Sequence, residues 1–146
     1  MQYPLDKSYL EVYNDLEVGH NRPKEAAMDL KLYEYDYKFM SIIWDNEPVA
    51  SGQLVKLCSK KLGWKKSTTY STLKKLCERG FAQNRDTVVT SLVPRGDVQA
   101  YASEQFVENT FYGSLPGFLT AFFDGKKISK DEAAELKRLI DEYEEK

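Results

Sequence analysis

The residues able to do chemistry in this chain are concentrated between Gly63 and Gly80. In Gly63-Trp64-Lys65-Lys66-Ser67-Thr68-Thr69-Tyr70-Ser71-Thr72-Leu73-Lys74-Lys75-Leu76-Cys77-Glu78-Arg79-Gly80, the side chains of Tyr70, Leu73, Leu76 and Cys77, with Thr69, recur at helical spacing. A helix with that inner stripe turns Lys66, Ser67, Thr68, Ser71, Thr72 and Lys75 outward. Hydroxyls bond phosphate oxygens or base edges, and lysines attract phosphate whatever the sequence. Such a face is equipped to lie against DNA. Lysine-rich faces also occur on ordinary solvated helices, so the neighbouring elements must decide between the two readings.

Charge favours DNA once it is divided along the chain. The 146 residues carry a net charge of −2, but residues 1–34 hold 4 basic and 7 acidic side chains, residues 35–93 hold 10 and 5, and residues 94–146 hold 7 and 11. A basic middle between acidic ends suits a DNA-reading head on an assembly module, because the local field outweighs the whole-chain balance. No apolar run is long enough to span a bilayer, and Met1-Gln2-Tyr3-Pro4-Leu5-Asp6 lacks the layout of a signal peptide, so a cytoplasmic protein without membrane insertion is expected. Cys58 and Cys77 fall on apolar helical faces and are expected to be buried thiols. With His20 the lone histidine, no metal site or cofactor is expected.

The elements around the hydroxyl-rich helix form a recognisable order. Residues 1–32 are punctuated by Pro4, Gly19, Asn21 and Pro23 and read as a loosely ordered extension, although Leu5, Tyr9, Tyr13 and Leu16 could line a short docking helix. Residues 33–93 then form one domain. Tyr37, Met40, Ile43 and Trp44, with Phe39, make the apolar face of a core helix that stops before Asn46-Glu47-Pro48. Pro48-Val49-Ala50 permits a short strand, and Ser51 is a candidate N-cap for a helix with Leu54, Val55, Cys58 and Leu62 inward, ended by Gly63. After Gly80 the period becomes extended: Phe81–Arg85, a turn at Asp86-Thr87, then Val88–Val93. Helix, short strand, helix, helix and hairpin is the order of a winged helix-turn-helix domain. The expected fold class is therefore mainly α with a small β-hairpin, the winged helix being followed by a helical domain over residues 94–146.

That last domain is expected to hold helices over about Asp97–Tyr112, Ser114–Asp124 and Ser129–Glu145, with Ser129 and Glu132 at capping-box spacing. Phe106, Phe111, Leu115, Phe118, Leu119 and Phe122, with Leu136 and Ile140 on the last helix, are more large apolar groups than three short helices can bury alone. A second copy of the chain would cover them, and a symmetric dimer would read paired half-sites. The competing reading is that they cover the winged helix of their own chain.

Several segments together resemble the penicillinase repressor family. They are Tyr37-x-Phe39-Met40-x-Ile42-Ile43-Trp44, the turn residue Trp64, the helix through Leu76 to Gly80-Phe81, Ser91-Leu92-Val93, and Phe111-Tyr112-Gly113-Ser114-Leu115 ahead of a capped last helix. The resemblance covers about residues 33–146 and implies a homodimeric winged-helix repressor of a palindromic operator, with an antibiotic-resistance or stress operon as the candidate target. It further implies, for the members that control β-lactam resistance, a membrane sensor protease pathway leading to cleavage in the helix that joins the domains. Gln105-Phe106 stands where the family has its scissile Asn-Phe pair and is the candidate cleavage point. The chain departs from the family in other places. The tail, Asp141-Glu142-Tyr143-Glu144-Glu145-Lys146, lacks the cysteines of the copper-responsive cousins, so copper sensing by their mechanism is not expected. Lys65-Lys66 replaces a common Ser-Pro helix start, the wing is short, and residues 1 to about 32 have no counterpart.

These readings assign roles. Lys60, Lys61, Lys65, Lys74, Lys75, Arg79 and Arg85 are candidate phosphate contacts, Lys66, Ser67, Thr68, Ser71 and Thr72 candidate base readers, and Trp64 joins the DNA-facing set at the turn. The expected partners are an operator duplex and a second copy of the chain. A rival class is a winged-helix adaptor that binds proteins while its lysines only solvate one face. An enzyme is not expected, since no phosphate loop, nucleophile-base pair or ligand cluster is visible, and Asp131-Glu132 suits the first turn of a helix.

Overall fold

A computed structural model describes residues 28–145. Two compact units divide the chain, one ending at Ser103 and the other beginning at Glu104. The first is the winged helix. Helix α1 (Glu34–Asn46) buries Phe39, Met40, Ile42, Ile43 and Trp44, and its Glu34 and Asp36 fall in the first turn, where negative charge suits the helix dipole. Strand β1 (Val49–Ala50) leads into helix α2 (Ser51–Leu62), which buries Leu54 and Cys58. Helix α3 (Lys66–Glu78) buries Thr69, Leu73 and Leu76. Strands β2 (Ala82–Arg85) and β3 (Val88–Ser91) form the wing hairpin, and helix α4 (Arg95–Phe111) carries the chain into the second unit.

Glycine is required at the two ends of the helix pair. Gly63 takes φ +70° after α2, where its N–H and that of Trp64 bond back to the carbonyls of Ser59 and Cys58 at 3.0 and 3.3 Å. Gly80, at φ +84°, lets the Phe81 N–H return to the Leu76 carbonyl at 2.9 Å, and an added Cβ would stand 3.3 Å from the Met28 side chain. The hairpin turn uses Asp86 and Thr87 at φ 50° and 65°, the left-handed pair that matches the twist of a two-residue hairpin loop. All three strands are antiparallel in the order β1-β3-β2, with Val49 opposite Val89 and Asn84 opposite Val89 on the other side.

One buried carboxylate ties the sheet to α1. Glu47, just beyond the helix, accepts hydrogen bonds from the Ser91 N–H at 2.8 Å and from the Ser91 hydroxyl at 2.9 Å. Trp44 adds a second tie by donating its indole N–H to the Val93 carbonyl at 2.9 Å. Arg95 then fastens the start of α4 to α1: it pairs with Asp45 and lies 5.3 Å over the Trp44 ring.

The structure corrects several details of the sequence reading. Ser51 is the first residue of α2 rather than its cap, and its hydroxyl instead accepts a 3.4 Å bond from Tyr70. Tyr70 is not part of the buried stripe, because Thr69 takes the inward position beside it. Met28, Leu30 and Leu32, placed by sequence with the extension, pack on the winged-helix core. The remainder of the extension, with Tyr9, Tyr13, Leu16 and His20, lies outside the described residues. The compact first unit also runs past residue 93, since Val98 on α4 is buried in its core.

The second unit holds the end of α4, helix α5 (Leu115–Phe123) and helix α6 (Lys130–Tyr143). Ser114 caps α5 by accepting from the Gly117 N–H at 2.9 Å, and Ser129 caps α6 by accepting from the Glu132 N–H at 3.0 Å. Phe106, Phe111 and Phe118 form a cluster with ring centroids 5.5–5.9 Å apart, extended by Phe122 at 6.0 Å from Phe118. None of the described residues of this unit is buried.

Burial raises the Glu47 pKa above the ordinary carboxylate range, opposed by the Ser91 hydrogen bonds and the nearby Arg95 charge. A raised carboxyl pKa means that the unfolded chain releases this proton first. Its contribution to stability is complete below the ordinary range and is lost as pH rises through the displaced value. Glu47→Gln keeps an acceptor for the Ser91 N–H without the charge. Its melting temperature is expected to exceed that of the natural protein at neutral pH and to converge with it in acid, as thermal melts across pH would show.

Candidate nucleic-acid interface

Helices α2 and α3 are separated only by Gly63, Trp64 and Lys65, the tight connection of a helix-turn-helix. The inner stripe of α3 decides which side chains face water. With Thr69, Leu73 and Leu76 inside, Lys65, Lys66, Ser67, Thr68 and Ser71 stand exposed and Thr72 is half-buried at the edge of the same face. Lys60 and Lys61 are exposed in the last turn of α2, where positive charge suits the helix end. Lys74 is exposed on α3, and Arg85 is exposed at the end of β2, next to the hairpin turn.

Local bonds give these groups different freedom. Ser71 donates its hydroxyl proton to the Thr68 carbonyl at 3.1 Å, so toward a ligand it presents acceptor lone pairs. Lys66 reaches back over Tyr70, 6.0 Å from the ring centre. Lys75 is held by Asp36, and both carboxylate oxygens accept from its ammonium at 2.8 and 3.0 Å. Arg79 donates to the Lys31 carbonyl at 2.6 Å and lies 4.8 Å over the Phe81 ring. The C-terminal half of α3 is therefore bonded to its own protein, whereas the N-terminal half is presented outward.

Trp64 is placed differently from the lysines. Its ring stacks on Phe39 at 5.8 Å with an interplanar angle of 16° and packs against the hydrophobic core, so it closes the turn from inside. An aromatic residue in a lysine-rich turn gives no sequence signal that separates core packing from base stacking. The sequence reading missed Asp36 altogether, because one acid in a helix's first turn does not announce a partner 39 residues later.

The cysteines follow the expected pattern. Cys58 is fully buried and Cys77 half-buried, and desolvation by burial raises both thiols above their ordinary pKa. Thiols in that state are poor nucleophiles. Among the described residues no group of three His, Cys, Asp or Glu side chains could hold a metal ion, and no helix is long and apolar enough to cross a membrane.

A helix-turn-helix followed by the β2–β3 wing, with a cationic, hydroxyl-bearing outer face on α3, defines the class as a winged-helix protein. The family model described as penicillinase repressor matches residues 34–142, and the chain belongs to that family. It is also similar to the methicillin resistance regulatory protein MecI of Staphylococcus epidermidis, at 23% identity over 120 residues that cover 77% of this chain and 98% of the relative. The protein is a transcriptional repressor of the penicillinase-repressor type.

Trp64→Ala removes a ring that stacks on Phe39 and packs against the core. For a half-buried tryptophan the expected loss of stability is about 2 kcal/mol, below the range for fully buried ones. Urea denaturation measures that loss. DNA binding by the folded variant at low temperature should be little changed, and a selective loss of affinity without loss of stability would return Trp64 to the interface.

Proposed function

We propose that the protein is a cytoplasmic, dimeric repressor that binds a palindromic operator through the outer face of α3. Lys66, Ser67, Thr68, Ser71 and Thr72 read bases, and Lys60, Lys61, Lys65, Lys74 and Arg85 attach to phosphate. The observation that carries this reading is the outward N-terminal half of α3, whose lysines and hydroxyls stand on one exposed face beside the cationic end of α2. Lys75 and Arg79 leave the phosphate set, since each is already bonded within the protein. The relative's printed role in methicillin resistance makes an antibiotic-resistance operon the candidate target.

Dimerisation through the second unit is supported by its uncovered apolar groups. Phe106, Leu115, Phe122 and Ile140 are 51%, 55%, 51% and 60% exposed, and Phe111, Phe118, Leu119 and Leu136 are only half-buried. Large exposed apolar surface of this kind marks an interaction site, and a second copy supplies a matching face by symmetry. Release from DNA by cleavage at Gln105-Phe106 is the corresponding proposal for switching, through a membrane sensor protease pathway. Both residues are exposed, but they lie inside the regular helix α4, so a protease needs local unwinding to reach the bond.

Binding to duplexes from the gene's own promoter should fall steeply with salt, with a log-log slope of about −0.9 for each phosphate neutralised. Gel shifts across a salt series measure this. Affinity equal to that for random duplex would exclude the operator reading and leave a winged-helix protein adaptor.

Phe122→Asp sets a carboxylate on the proposed dimer face, where an unpaired charge is costly to bury. Sedimentation equilibrium should then find monomers, and gel shifts should show weakened half-site binding. A persistent dimer would place Phe122 away from the subunit interface.

A further inference from the structure

We propose that Asp36 is a specificity-determining residue, acting as a positioning residue that withholds Lys75 from the DNA backbone. The proposal rests on the DNA-binding reading above and assigns a role to a residue of α1 that faces no base.

Lys75 lies two helical turns beyond Thr68 and one beyond Ser71, hence on the same outer face of α3. An unheld lysine there would be free to attach to any phosphate beside the groove. Its ammonium instead donates to both oxygens of Asp36, at 2.8 and 3.0 Å, a two-oxygen grip from an acid in the first turn of α1. The exposures are unequal and decide which partner controls the other. The Lys75 side chain is 51% exposed, whereas that of Asp36 is 9% exposed. Lys75 is the only hydrogen-bond donor that reaches the Asp36 carboxylate among the described residues. If Lys75 moved to a phosphate, it would leave a nearly buried carboxylate unpaired beside a polyanion. Desolvation and like-charge repulsion both oppose that move. In the complex, the pair is a nearly neutral element on a face that otherwise carries positive charge.

This has a consequence for selectivity. Phosphate contacts strengthen binding to every sequence, so each additional one raises the competing affinity of non-operator DNA. Holding Lys75 in an ion pair removes one sequence-independent attachment per subunit and leaves discrimination to Lys66, Ser67, Thr68, Ser71 and Thr72. Arg79, one turn further on, is restrained in the same sense by the Lys31 carbonyl and the Phe81 ring.

A three-variant cycle on the full-length protein tests the idea: Asp36→Asn, Lys75→Gln and the double substitution, each titrated with salt on own-promoter and random duplexes. Asp36→Asn should free Lys75, steepen the log-log slope by about 0.9 per subunit, and tighten binding to random duplex, so that the preference for promoter DNA falls. Lys75→Gln and the double variant should keep the natural slope, because no phosphate contact has been removed. A slope shallower by about 0.9 per subunit in either of these would put Lys75 on phosphate and overturn the proposal, as would an unchanged slope in Asp36→Asn. Should Asp36→Asn prove too unstable to titrate, the double variant decides, since it replaces the charged pair by neutral groups of similar size. Absence of promoter preference in the natural protein is a different failure. It removes the operator reading itself, whatever the variants do.

Discussion

The first unit depends on burying one stripe of α3 while leaving the opposite stripe in water. Leu73 and Leu76 share a core with Phe39, Met40 and Ile43 of α1 and with Leu54 of α2. Thr69 takes the remaining inward position, its hydroxyl buried without a hydrogen-bond partner among the described residues. Once those residues are inside, helical geometry leaves the lysines and hydroxyls of Lys66, Ser67, Thr68 and Ser71 no place but outside. The functional face follows from where the apolar groups go. The lysines are outside because nothing in the core could solvate them.

Buried polar contacts then add directional constraints to those that hydrophobic burial imposes. A one-residue slip of the hairpin would turn the buried Val89 outward, and Glu47 adds a second constraint, its carboxylate accepting from the Ser91 N–H and hydroxyl at one position along β3. Trp44 bonded to the Val93 carbonyl, and Arg95 clamped to Asp45 and Trp44, repeat the device at the start of α4. Asp36 with Lys75 does the same for the far end of α3. Each of these contacts joins α1 to a later element, so α1 serves as the frame against which the interface is set.

The second unit follows a different economy. Its helices are capped by Ser114 and Ser129, and α6 is braced by Arg138 between Glu135 and Glu142, yet none of its described side chains is buried. Caps and surface pairs contribute about 1 kcal/mol or less apiece, too little to hold three short helices without a core. The phenylalanine cluster supplies mutual contact but remains half open to water. Apolar cover from another molecule accounts for such a construction, and the proposed dimer provides it.

Local periodicity by itself determined the element order of this protein, because Leu73 and Leu76, Met40 and Ile43, and the extended run from Val88 each carry their pattern within a few residues. It determined the turns at Gly63, Gly80 and Asp86-Thr87 for the same reason, since the conformations needed there are properties of single residues and dipeptides. Family membership was legible from the order of those segments and is matched over residues 34–142. What only the tertiary structure decided are the partnerships between distant residues: Glu47 with Ser91, Trp64 on Phe39, Arg79 on the Lys31 carbonyl, and above all Asp36 with Lys75. An outward lysine on a helix looks the same in sequence whether it is free or held. The difference lies in a carboxylate 39 residues away that packing has nearly closed to water, and no local pattern encodes that distance.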